Sequence, residues 1–148
     1  MKTLVFSILV VCLLWSTDSQ ARNTRLVLSI QDVLQSEKAK ATLGNGVRFY
    51  FGNQKHPTPT SKLGTYTTNK KTNAFNKSDK EACEWVFLSA LVQLRDRAQA
   101  EGGNAVVNVV SYYKKSVFSS ATQFECHAGN VVAGVALRGD VVTIGAKK

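Results

Sequence analysis

Two histidines, three cysteines and ten carboxylates are all that 148 residues offer to acid-base, nucleophilic or metal chemistry. A serine hydrolase needs a base. The only imidazoles are His56, between lysine and proline in a loop, and His127 near the end of the chain, and nothing resembles a nucleophile elbow. Paired carboxylates are equally scarce, because most acids fall on helix surfaces and Glu125, beside Cys126, points to the opposite face if that segment is a strand. A phosphate-cradling loop needs a lysine and a hydroxyl after its second glycine; Gly129 and Gly134 have the spacing, but Val135 and Ala136 follow. Gly44-Asn45-Gly46 lacks the third glycine of a dinucleotide fingerprint and precedes a strand instead of a helix. These absences exclude the common nucleotide chemistries and lead to the expectation of a protein that is not an enzyme and carries no cofactor. A small enzyme is the third-ranked reading; it would need a deep polar pocket joining His56 and His127.

What is present begins with compartment. Lys2, an apolar run over residues 4–15 and the small residues Ser19 and Ala21 have the layout of a secretory signal cleaved after Ala21. The run is shorter than the ~20 residues a bilayer span needs, and Cys12 lacks the small preceding residue of a lipidation site. Residues 1–21 are thus read as a signal and residues 22–148 as a single compact domain, periplasmic or secreted, with no transmembrane segment left after cleavage. Removing Lys2 and Asp18 together leaves the net charge at +9, spread so that no cationic block exceeds two residues. Such a chain is expected to meet anionic envelope components or an envelope protein, with Arg48, Lys55, Lys70, Lys71, Lys114 and Lys115 as contacts. The aromatics interleaved with cations at residues 48–51 and 112–115 resemble single-strand nucleic-acid binders. Strand alternation makes Phe49 and Phe51 core residues instead, so nucleic acid is not the expected partner.

The pattern of elements is α/β, or α+β. Residues 29–43 carry Ile30, Val33 and Leu34 at helical spacing, with a second start at Ser36-Glu37 and a stop at Gly44. Residues 47–51 read as a strand, residues 53–61 with both prolines as a loop, residues 62–68 as a further strand and residues 69–77 as an exposed polar segment. The clearest element starts at Ser78, where Ser78 and Glu81 form a capping box. Ala82, Cys83, Val86, Phe87, Ala90, Leu91, Leu94 and Ala98 then recur at three- and four-residue steps until Gly102-Gly103. Strands follow at 104–112 and 121–126 around a turn at 113–120. Residues 131–144 form either one strand buried on both faces or two strands meeting at a bend. The sum is a small mixed sheet with one long amphipathic helix across it and a short N-terminal helical segment.

Two cysteines remain after cleavage, in a compartment that favours oxidation. Cys83 lies on the apolar stripe of the long helix and Cys126 at the end of a strand beneath it, so a disulfide is the first reading. Its loop of about 44 residues would contribute about 4 kcal/mol in the chain-entropy account. A metal site using Cys83, Cys126 and His127, with His56 as a fourth ligand, is the alternative. A Cys126–His127 nucleophile is a third, weakened because neighbours on a strand face opposite ways. His127 is accordingly read as a surface neighbour, with Ala128-Gly129 as the turn into the last strand.

The residues from Asn73 to Cys83, Gly102 to Asn108, Phe124 to Cys126 and Ala133 to Leu137, together with Phe49-Tyr50-Phe51-Gly52 and Lys55-His56-Pro57, resemble a family of small exported bacterial proteins. Its members often carry the label excinuclease ATPase subunit. An excinuclease ATPase is a large cytoplasmic protein with P-loops and zinc modules; this chain has neither motif, so the label reads as a transferred error. The helix ending in Gly103-Asn104-Ala105-Val106 is also similar, more distantly, to the stress-sensor lipoprotein of the Rcs pathway, which has a comparable helix-to-sheet disulfide, and to the YbjQ-type family named for heavy-metal binding. Both resemblances imply a compact fold with a helix on a sheet. The sensor role does not carry over, since a lipid-attachment cysteine and a second cysteine pair are missing, and neither does the YbjQ-type ring.

Overall fold

The computed structural model describes residues 20–145; the expected signal segment lies almost wholly outside them. The chain runs β1 (Thr24–Ser29), α1 (Ile30–Leu34), α2 (Glu37–Leu43), β2 (Arg48–Phe51), β3 (Pro59–Asn73), α3 (Asp79–Ala100), β4 (Ala105–Ser111), a 3-10 turn (Tyr113–Lys115), β5 (Gln123–Ala128) and β6 (Val132–Ile144). The strands form one mixed, strongly curved sheet in the order β1-β5-β6-β4-β2, with β3 along the other edge of β6. Only β2 and β4 run parallel. This is the expected α+β class, a long helix packed across a small mixed sheet.

The Ser78 hydroxyl accepts a hydrogen bond from the Glu81 amide (3.1 Å), and Asp79 and Glu81 place negative charge in the first turn of α3, against the positive end of the helix dipole. After the 22 residues of the helix, Gly102, at φ +79°, takes the left-handed conformation that ends it. The stripe from Ala82 to Ala98 is buried on the sheet, where Phe87 stacks on Phe124 of β5 (3.9 Å between centroids) and lies 6.2 Å from Phe51 of β2. Alternation along β6 sends Ala133, Val135, Leu137 and Val141 toward this core. Val142 and Ile144 join Ala105 and Val107 of β4 in a smaller cluster on the other face, against Tyr50. Strands β6 and β4 come together closely because position 139 is glycine: a Cβ there would stand 2.6 Å from Val106 Cγ1.

Of the two arrangements open for residues 131–144, the single strand is the one that forms, from Val132 to Ile144. The strand expected at 62–68 extends from Pro59 to Asn73, taking in residues 59–61 of the expected loop and 69–73 of the expected exposed segment, because β3 pairs along nearly the whole of β6. It reads as polar because its other edge is open, and an open edge favours threonine and lysine over aliphatic residues. Pro59 is tolerated as the first residue, where a missing donor costs least. Finally, Thr24–Ser29 is a strand that the sequence reading passes over; it pairs with all six residues of β5.

Candidate functional site

Strand β5 divides its side chains by alternation. Phe124, Cys126 and Ala128 face α3 and are buried there. Cys126 is bonded to Cys83 in the first turns of the helix, with 5.8 Å between the Cα atoms. Glu125 and His127 therefore share the opposite face, two residues apart on the same side of the pleat. The metal alternative fails on this arrangement: both sulfurs are consumed by each other, and His127 points away from them. Among the described residues no group of three His, Cys, Asp or Glu side chains is arranged to hold a metal ion.

On that far face His127 is not a surface neighbour. Its side chain is 12 % exposed and that of Glu125 9 %. Nε2 of His127 donates to Glu125 Oε1 at 2.7 Å, while Nδ1 stands 3.3 Å from Asn23 Oδ1. Arg25, directly across from His127 in the β1–β5 register, approaches Glu125 Oε2 with Nε at 2.9 Å and Nη2 at 2.8 Å. The Tyr113 ring stacks on the imidazole at 3.5 Å, nearly parallel to it. Below, the Glu125 amide donates to Ser111 Oγ (2.9 Å). Burial pushes the Glu125 carboxyl upward, but the hydrogen bonds from His127 and Arg25, aided by their charge, outweigh it and hold the group below the ordinary carboxylate range. Asp140 behaves alike: its partial burial is outweighed by hydrogen bonds from Thr65 and Asn108 and by Lys62.

A cleft of about 540 Å³ opens over this network, lined in part by Arg22, Asn23, Lys71, Tyr113, His127 and Val132. Arg22 fixes its wall by a bidentate pair with Asp79 at the start of α3 (2.7 and 2.8 Å) and by bonds to Asn130 Oδ1 and the Gly129 carbonyl. Chemically, Glu125 orients the imidazole and leaves Nδ1 toward Asn23. The polar partners of His127 are Glu125 and Asn23. His56 does not line this cleft; its Nδ1 lies 2.9 Å from the Pro57 carbonyl and its ring 5.5 Å from Tyr50.

The six cations expected at an anionic surface are spread over the molecule. Arg48 opens β2 and reaches the Gly145 carbonyl (3.4 Å), Lys55 lies in the β2–β3 loop, and Lys70 and Lys71 point to opposite faces of β3. Lys114 and Lys115 sit in the turn after β4 with left-handed φ values of +49° and +64°. None of the six forms an ion pair among the described residues, whereas Arg22, Arg25, Lys40, Lys62, Lys80, Arg95 and Arg97 all do. Only Lys71 lines the His127 cleft, with Lys114 near its Tyr113 wall (5.5 Å from the ring). The aromatics at 48–51 turn inward: Phe51 is buried, Phe49 packs on the core and Tyr50 on the smaller cluster. Arg22, Asn23, Arg25, Tyr113 and Glu125 were missed as members of the site. The signal that could have found one of them, Glu125, is Glu-x-His in a strand, which places carboxylate and imidazole side by side.

Comparison with family models, with characterised proteins and with solved structures finds no match to this chain.

Proposed function

We propose that the chain is an exported, non-enzymatic protein of the bacterial envelope or its surroundings that associates with anionic partners through cations without carboxylate partners. The observation that carries this reading is the division among its positive charges. Among the described residues seven pair with acids of the same molecule, while Arg48, Lys55, Lys70, Lys71, Lys114 and Lys115, like Lys38, Lys77 and Arg138, do not. A cation already paired gains little from a second anion; an unpaired one gains both attraction and counterion release. Export is supported by the signal-like layout of residues 1–21 and by the disulfide, a bond that persists in oxidising compartments. The lack of a P-loop, nucleophile-elbow or dinucleotide motif in the sequence supports the non-enzymatic part, and the resemblance to small exported bacterial proteins agrees with the location.

Retention on immobilised dextran sulfate tests the reading. The protein is expected to bind at low salt and elute as salt rises. Neutralising Lys71, Lys114 and Lys115 to glutamine should lower the eluting salt more than the same change at Lys40, Lys80 and Arg97, which removes equal charge from ion-paired positions. Equal shifts for the two triple variants, or no retention at all, would refute it.

A further inference from the structure

Where β3 ends and β6 begins, three apolar side chains stand in solvent: Phe75 is 63 % exposed, Val131 58 % and Val132 45 %. The backbone holds them together. Val132 pairs with Asn73, the Ala74 amide donates to the Val131 carbonyl (2.7 Å), and Asn73 Oδ1 accepts from the Phe75 amide (2.8 Å). Cations flank the tip. Lys71 is two residues back along β3, and Lys77 reaches the Asn73 carbonyl (3.2 Å); neither has a carboxylate partner among the described residues. Asp79, which follows the tip at the start of α3, is neutralised by the bidentate Arg22. Val131 and Val132 also line the cleft that holds Lys71, Tyr113 and His127.

We infer that this end of the molecule docks on a lipid bilayer bearing anionic headgroups. Phe75, Val131 and Val132 enter the interfacial layer, Lys71 and Lys77 meet the phosphates, and a headgroup lies at the mouth of the His127 cleft. The inference rests on the anion-binding reading above and names its partner. Size favours lipid over protein. Three side chains fall far short of the roughly 800 Å² per partner of a stable protein interface. A bilayer needs only a small inserted apolar area, with added attraction from each cation near an anionic surface.

Co-sedimentation with phosphatidylglycerol-containing vesicles tests it, set beside phosphatidylcholine vesicles and the dextran sulfate column. The wild-type protein should bind the anionic vesicles and not the neutral ones. The double variant Phe75→Ser, Val131→Ser should bind them about tenfold more weakly or worse, from the loss of inserted apolar area, with unchanged retention on dextran sulfate and an unchanged circular dichroism spectrum. Vesicle binding untouched by the double substitution would overturn the inference, because charge alone would then explain it. Retention on dextran sulfate without binding to anionic vesicles would overturn it and leave the broader reading standing; binding to neither would end both.

Discussion

Glu125 is the one buried charged side chain among the described residues, and its two oxygens are divided between His127 and Arg25. Its carboxyl titrates below the ordinary range when folded, so the sign of its effect on stability is fixed. The stabilisation is full above the unfolded carboxyl value, near pH 4.3, and is lost as the pH falls through the lower folded value. Urea unfolding of Glu125→Gln should therefore show a loss of about 2 kcal/mol at pH 7, the scale of charge-assisted hydrogen bonds, and a gap to wild type that closes on acidification below about pH 4. A gap that stays constant with pH would show that the charge is not what the network uses. Thr68 gives the opposite case. Its hydroxyl is buried without a hydrogen-bond partner, so Thr68→Val should raise stability by about 1 kcal/mol. At this scale the sequence was only half legible. Alternation placed Glu125 and Cys126 on opposite faces, but the same rule applied one step further puts Glu125 and His127 together. Arg25 is hidden from sequence reasoning because nothing local marks β1, the strand that carries it.

Among the elements, α3 and the disulfide carry the fold. Replacing Cys83 and Cys126 by serine should cost about 4 kcal/mol, the chain-entropy value for a loop of this length, measured as a lowered urea midpoint. Phe87, stacked between helix and sheet, should cost about 3–5 kcal/mol as alanine. Gly139→Ala acts through excess volume: its Cβ would meet Val106, and the expected loss is about 1–3 kcal/mol. The long helix was readable because an amphipathic stripe, a cap and a glycine stop all agree at its boundaries. Strand β3 was read too short because half of what makes it a strand is the register it shares with β6, some seventy residues away. Neither its threonines nor its lysines carry that information locally. Strand β1 is six residues long and lies just after the segment read as a signal, so its Leu26-Val27-Leu28 lacks the turn signals that bracket a strand.

For the whole molecule, compartment, staple and charge form one account. The chain is held together by a bond that reducing compartments do not preserve, and among the described residues several cations have no carboxylate partner, which the proposed function assigns to an anionic partner. Folding under reducing conditions should yield a less stable protein, since the helix is then held on the sheet by packing alone. The most direct test is intact-mass analysis, with thiols blocked on lysis, of the chain recovered from the envelope and the medium. The account predicts a protein beginning at Arg22, with Cys83 and Cys126 unreactive to alkylation until a reductant is added. A full-length chain in the cytoplasm, or two freely alkylated thiols in the exported form, would contradict it.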